Sequence, residues 1–124
     1  MGRYYTGDIE GKFWFGIQSS TAGERFGAYE TRNNIDYQAD DLEEAEEEIK
    51  NIEYKLQDKI KILDDFFAKN DTFSNEKIKA LGVSPEELSD YADLGLGRKI
   101  RDCIKEQGYC SFDAEIWGFQ KIKY

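Results

Sequence analysis

Six aromatic and basic side chains in the first third of the chain have the types that suit ligand binding. They are Arg3, Tyr4, Tyr5, Lys12, Trp14 and Tyr29. The glycines at positions 11 and 16 flank Trp14 and allow a ligand close access to the backbone. An indole suits stacking against a planar ring, and nearby cations neutralise phosphate. This set predicts a site for a small anionic, nucleotide-like ligand. The residues support equally well an alternative in which Trp14 covers a second small core.

Asp8 and Glu10 lie in a glycine-bracketed loop and are included with the predicted ligand-binding residues. A pair of carboxylates catalyses hydrolysis or holds a divalent cation when crowding shifts the pKa values of the pair. The simpler interpretation is that Asp8 makes an Asx-turn and that Glu10 is solvated. Because the chain has no histidine and only two cysteines, its composition predicts no metal site and no cofactor. A non-catalytic binding protein is therefore favoured over a carboxylate-dependent hydrolase.

The formal net charge of −9 comes almost entirely from residues 36–97, whereas both ends of the chain are close to neutral. Acidic side chains are densest between Asp40 and Glu48. Such a run is most often the solvated start of a helix, but it also suits an inhibitor that mimics nucleic acid and occupies a basic groove on another protein. The charge excludes direct nucleic-acid binding by the middle of the chain. No apolar run is long enough to span a membrane, which predicts a cytoplasmic protein.

One long amphipathic stretch, Asp41–Phe67, organises the predicted fold. Its apolar residues recur at steps of three and four, which places them on one stripe of an α-helix. They are Leu42, Ala45, Ile49, Ile52, Leu56, Ile60, Leu63, Phe66 and Phe67. A continuous helix of this length would be about 40 Å long. Because its stripe would outreach a small sheet, we expect a homodimer through this helix.

Further helices are predicted between this stretch and the C-terminus. A short helix covers Asn75–Leu81, and Ser84-Pro85 with Glu87 is a strong start for the next one, which runs to about Leu94. Gly95 and Gly97 are expected to interrupt it before a last helix over Arg98–Gln107. The segment from Lys77 to Leu94 thus forms a helical hairpin, and its acidic second helix argues against DNA recognition.

Strands are predicted at both ends of the chain. Lys12–Gln18 alternates so that Phe13, Phe15 and Ile17 share one face and Trp14 faces the uncovered side of the sheet. Residues 26–32 and 35–38 read as a hairpin around Asn33-Asn34. Tyr109–Ile116 alternates as a half-buried strand, and Phe119–Tyr124 follows as an edge strand. Together these elements predict a single α+β domain over residues 1–124, in which one face of an antiparallel sheet is covered by the long helix and the helical hairpin.

Two segments carry a resemblance to known proteins. RYYTGDIEGKFWFGIQSS at residues 3–20 and GYCSFDAEI at residues 108–116 resemble a group of small uncharacterised proteins of tailed phages and large DNA viruses. The resemblance brings no activity to any single residue. It implies a context of viral counter-defence in the host cytoplasm, through capture of a signalling nucleotide or a block on a defence protein.

Overall fold

A computed structural model describes residues 3–14, 16–31 and 36–115 of the chain. It has the predicted α+β architecture, with a five-stranded antiparallel sheet in the order β2-β1-β5-β4-β3. The strands are β1 (Tyr4–Gly7), β2 (Gly11–Lys12), β3 (Tyr29–Glu30), β4 (Asp36–Ala39) and β5 (Cys110–Glu115). The helices are α1 (Leu42–Leu56), α2 (Asp58–Lys69), α3 (Asn75–Ala80) and α4 (Pro85–Gln107), and a 3₁₀ turn covers Ala22–Phe26.

One face of the sheet packs against helices. On β5, Cys110, Phe112 and Ala114 are buried, whereas Ser111 between them is exposed, as the alternating pattern predicts. The apolar stripe of α1 and the middle of α4 cover this face and form the main core with it. The predicted hairpin is present as the antiparallel pair β3 and β4. Its Asn33-Asn34 turn, Phe15 and the predicted strand Phe119–Tyr124 lie outside the described residues.

The long amphipathic stretch forms two helices and not the single helix that its periodicity predicts. Gln57 separates α1 from α2 with φ 47° and ψ −121°, a backbone conformation that costs a non-glycine residue about 1–3 kcal/mol. After the break, Leu63 of α2 packs with Ile78 and Leu88 in a second core. This second core covers the part of the apolar stripe that was expected to extend beyond the sheet. The homodimer therefore stays a prediction, and an uncovered stripe no longer supports it.

Helix α4 is continuous from Pro85 to Gln107, so the predicted interruption at Gly95 and Gly97 is wrong. Gly97 is buried, and a Cβ at this position would lie 2.2 Å from the Phe26 ring. The helix passes through this glycine because its bare backbone admits the aromatic ring from the 3₁₀ turn. The packing of Phe26, which is completely buried, offsets the helix propensity that glycine lacks.

The start of α4 is fixed by the predicted capping box. The Ser84 side chain accepts a hydrogen bond from the Glu87 amide at 3.1 Å, and the Glu87 carboxylate accepts one from the Ser84 amide at 2.9 Å. We expect Ser84→Ala to lower the free energy of unfolding by about 1 kcal/mol, because the Glu87 amide at the start of the helix loses its acceptor. Urea denaturation would measure this loss, and Thr72→Ala, a change at an exposed loop position, is the control. Equal stability of the two variants would contradict the assignment.

Candidate functional site

The segment after β2 turns and does not continue as the predicted strand. Gly16 has φ 72°, and the Gln18 amide donates to the Trp14 carbonyl at 2.9 Å. The prediction that Lys12–Gln18 is a strand with Trp14 on an uncovered sheet face is therefore wrong. Phe13 points into the main core, whereas Trp14 is half-buried and packs beside the second core. The alternation of aromatic residues misled the prediction because the turn sends neighbouring rings to two different cores.

Two side chains fasten this turn to α4. The buried Gln18 accepts a hydrogen bond from the Trp14 amide at 3.1 Å and donates one to the Ala92 carbonyl at 3.2 Å. Ser89 donates to the Ile17 carbonyl at 2.9 Å. Arg3 ties the same turn to the start of the chain, because its guanidinium donates to the carbonyls of Trp14 and Gln18. These bonds hold the indole of Trp14 against the flank of α4.

A cavity of about 260 Å³ opens between Trp14 and α4. We call it the Trp14 cavity. The side chains that matter for its chemistry are Tyr5, Lys12, Trp14, Tyr91, Arg98 and Lys99. Gly95 also lines it. Apart from its chain neighbours and the backbone of α4, no atom of the described residues lies within 4 Å of the place where a Cβ at Gly95 would stand. The cavity thus combines aromatic surface, cationic groups and a stretch of bare helix backbone.

Lys99 has an unusual set of partners for a cation in so acidic a chain. Its Nζ donates to the Tyr5 hydroxyl and to the Glu10 carbonyl, each at 2.9 Å, and lies 5.1 Å from the centre of the Tyr5 ring. Within the part of the chain that the structure describes, no carboxylate forms an ion pair with Lys99 or Lys12. An ammonium has three donors, so a third N–H of Lys99 remains for an anion in the cavity.

The other two cations of the Trp14 cavity, Arg98 and Lys12, have different partners. Arg98 donates to Glu53 at 2.9 Å, so its charge is partly balanced, although a guanidinium has further donors to offer. The Lys12 ammonium lies 5.9 Å from the centre of the Tyr4 ring, at the edge of the sheet. Tyr4 itself is 41 % exposed and faces away from the helices. Lys99 is therefore the cation most directly available to a bound anion.

Gly11 leaves space for the contact between Tyr5 and Lys99. A Cβ there would lie 2.3 Å from the Tyr5 hydroxyl oxygen and 2.9 Å from the Lys99 Nζ. Gly11 also pairs with Tyr5 across the two N-terminal strands. The glycine that the sequence suggested for close backbone access thus makes room for the Tyr5–Lys99 contact.

The predicted site residues divide into two groups. Tyr5, Lys12 and Trp14 line the Trp14 cavity, and Glu10 reaches it through the carbonyl that accepts from Lys99. Arg3, however, is engaged in the turn, and its guanidinium also lies 5.6 Å from the centre of the Phe13 ring. Arg3 therefore positions Trp14 and is not placed to neutralise a phosphate.

Tyr29 and Asp8 lie elsewhere. Tyr29 is on β3, at the opposite edge of the sheet from Lys12 on β2. Its hydroxyl donates to Asp40 at 3.1 Å, and this hydrogen bond raises the pKa of Tyr29. Asp8 accepts hydrogen bonds from the Gln107 side chain at 2.8 Å and the Ser111 amide at 2.9 Å. Its role in the described structure is to tie the loop after β1 to the end of α4 and to β5.

Sequence reasoning missed Tyr91, Arg98 and Lys99. These residues and Gly95 recur at steps of three and four, and so they share one face of α4. The signal was present, but it becomes visible only when α4 is treated as one continuous helix. The expected break at Gly95 and Gly97 divided this face between two helices.

Neither a metal cluster nor a membrane-spanning helix is found in the described part of the chain. No group of three or more acidic or cysteine side chains there has a geometry that could hold a metal ion. None of the helices described there combines the length and the apolar character that a bilayer crossing requires. Comparisons with protein-family models, with curated proteins and with solved structures found no match to this chain.

Proposed function

We propose that this chain is a non-catalytic binding protein that holds a small anionic, nucleotide-like ligand in the Trp14 cavity. The single observation that carries the proposal is the position of Lys99. It stands beside Trp14 and Tyr91 in one cavity, with hydrogen bonds to neutral oxygens and no ion pair to a described carboxylate. A cation in such a position favours an anionic ligand despite the negative charge of the whole chain.

The rings supply the second part of the proposed recognition. Tyr91 is held in place by a hydrogen bond from its hydroxyl to Asp64, and burial raises its pKa, so the ring stays neutral in the physiological range. The centres of the Trp14 and Tyr91 rings are 6.0 Å apart, with an angle of 74° between their planes. Stacking of one base on an aromatic side chain contributes about 1–3 kcal/mol. A planar group and an anionic group in one molecule would therefore use both parts of the cavity.

The resemblance to viral proteins supports a biological setting for this proposal. A protein that holds a nucleotide without turning it over would lower the free concentration of that nucleotide in the cytoplasm of an infected cell. In this setting the ligand would be a host signalling nucleotide. The capture of a small ligand requires neither a cofactor nor a metal, in line with the composition of the chain.

The two alternatives have less support. An acidic inhibitor would present the carboxylates of the Asp40–Glu48 run to a partner, yet several of them have internal roles. Asp41 caps α1 through the Glu44 amide at 3.0 Å, Glu46 pairs with Lys105, and Glu48 pairs with Arg25. For a hydrolase, the Asp8 carboxylate is already engaged by two donors. No specific observation favours either alternative over ligand capture.

Isothermal titration calorimetry against nucleoside monophosphates, diphosphates and cyclic nucleotides would test the proposal. We expect saturable binding of at least one nucleotide and a loss of about tenfold in its affinity in Lys99→Met, because one charge-assisted hydrogen bond is removed. Lys105→Met is the matched control, since Lys105 lies on the same helix but pairs with Glu46. Absence of heat with every nucleotide, with the protein shown to be folded, would refute the proposal. An equal loss in both variants would remove Lys99 from the site.

A further inference from the structure

A second cavity also borders Trp14. It has a volume of about 350 Å³ and is lined by Lys12, Phe13, Trp14, Phe67, Asp71 and Phe73. We call it the Phe73 cavity. Lys12 and Trp14 line both cavities, so both spaces border these two side chains. A single ligand that extends past Trp14 would therefore contact both.

The two cavities differ in chemistry. The Trp14 cavity contains the Arg98 and Lys99 side chains, whereas the walls of the Phe73 cavity are mainly aromatic. In the Phe73 cavity the Trp14 and Phe73 ring centres are 5.8 Å apart, and those of Trp14 and Phe67 are 5.1 Å apart. Flat aromatic walls suit a purine base, and the cationic groups suit a phosphate. A nucleotide has both parts, joined by a sugar.

Asp71 is the acidic side chain in the lining of the Phe73 cavity. It is exposed, and its carboxylate has no hydrogen bond or ion pair within the described ranges of the chain. A carboxylate is an acceptor with two oxygens, and guanine presents two parallel N–H donors, N1–H and the exocyclic amine. Adenine presents its amine beside the N1 lone pair, which a carboxylate repels.

We propose that the Phe73 cavity is the base subsite of the ligand site and that Asp71 selects guanine. The inference rests on the proposed function, because it takes the phosphate of the same ligand to lie near Lys99 in the Trp14 cavity. The ligand is then a guanine nucleotide, with its base beside Trp14 and Phe73 and its Watson–Crick edge towards Asp71. A paired carboxylate–guanine contact discriminates against the wrong base by about tenfold or more.

Calorimetric titration of the full chain with GMP, IMP and AMP tests this assignment. We expect GMP to bind about tenfold or more tightly than AMP, with IMP between them because hypoxanthine keeps N1–H but lacks the exocyclic amine. Asp71→Asn should lower the affinity for GMP and raise that for AMP, because the amide no longer repels the adenine N1 lone pair. Asp65→Asn is the matched control, since Asp65 is exposed on α2 and pairs only weakly with Lys61 at 3.4 Å.

The outcomes separate this inference from the proposed function. Equal affinities for GMP and AMP, or an unchanged GMP preference in Asp71→Asn, would overturn the guanine assignment while nucleotide binding at Lys99 stands. Binding of inorganic phosphate as tight as that of GMP would also overturn it, because the base would then contribute nothing. If none of the three nucleotides binds to the folded protein but another nucleotide of the wider panel does, only the guanine assignment fails. If no nucleotide of the panel binds, the proposed function fails with it.

Discussion

Replacing Arg25 by methionine is expected to lower the free energy of unfolding by about 3 kcal/mol. Arg25 lies on the 3₁₀ turn and joins three carboxylates from two helices. Its guanidinium contacts Glu48 of α1 at 2.9 Å, and Asp90 and Asp93 of α4 at 3.0 Å and 2.7 Å. Methionine keeps a long apolar side chain but removes the positive charge. The three carboxylates would then face one another without their shared partner.

The largest part of this cost comes from Asp93, which is only 6 % exposed. Burial raises the pKa of Asp93 above its ordinary value of 3.8, and the hydrogen bond from Arg25 opposes that rise. The native state therefore binds a proton at Asp93 more tightly than the unfolded state, and stability falls as the pH rises from 3.8 through the raised native pKa. Without Arg25 this pKa would rise further, so the variant is least stable near neutral pH.

Urea denaturation at about pH 7 and about pH 4.5 measures both parts of this prediction. The deficit of Arg25→Met should be smaller at the lower pH, where Asp93 is more often protonated. Arg101→Met is the control, because Arg101 pairs with the exposed Asp102 and its loss should cost less than about 1 kcal/mol. A deficit that does not change with pH would mean that the unpaired carboxylates are not its cause.

Replacing Gly97 by alanine is expected to lower the free energy of unfolding by about 2 kcal/mol, although alanine is the better helix former. The new methyl group would lie 2.2–2.6 Å from three carbons of the Phe26 ring. Phe26 is completely buried, so its ring has little room to move. The cost of overpacking thus exceeds the gain in helix propensity of about 1 kcal/mol.

Gly95 provides a matched control on the same helix. Apart from its chain neighbours and the backbone of α4, no described atom lies within 4 Å of a Cβ at this position, so Gly95→Ala should raise the free energy of unfolding by about 0.8 kcal/mol. Adding Phe26→Leu removes the clashing ring edge. It should therefore reduce the loss in free energy of unfolding that Gly97→Ala causes. Thermal and urea unfolding would measure all three variants. If both glycine variants are destabilised alike, the contact with Phe26 does not explain Gly97.

Those elements that local chemistry specifies could be predicted from the sequence. The structure confirms the predicted alternation in β5, the capping box at Ser84 and the short helix α3 from Asn75. In each case the residues that determine the element are neighbours along the chain. The α+β arrangement followed from the order of these elements.

The features that depend on tertiary packing could not be predicted. Gln57 breaks the long helix without a glycine or proline to signal it, and the second core stabilises that break. Gly97 belongs to a continuous helix because of Phe26, a residue about seventy positions away. The turn after Lys12 depends on bonds from Gln18 and Ser89 to distant partners.

These wrong predictions determined which residues of the candidate site could be predicted from the sequence. Tyr5, Lys12 and Trp14 were selected because their residue types suit ligand binding, and they do line one cavity. The α4 wall of that cavity was missed because the helix was expected to break at Gly95. Arg3 and Tyr29 were grouped with the others by residue type, but in the structure Arg3 hydrogen-bonds to Gln18 and Tyr29 hydrogen-bonds to Asp40.

Nuclear magnetic resonance titration of the full chain with GMP tests ligand capture in the Trp14 cavity most directly. The indole N–H of Trp14, assigned with Trp14→Phe, and the Gly95 amide belong to two residues that line the cavity. We predict that both resonances shift saturably with one binding constant, and that Lys99→Met weakens this binding while Lys105→Met does not. Resonances that stay in place in the folded protein, or shifts confined to the acidic start of α1, would contradict the account.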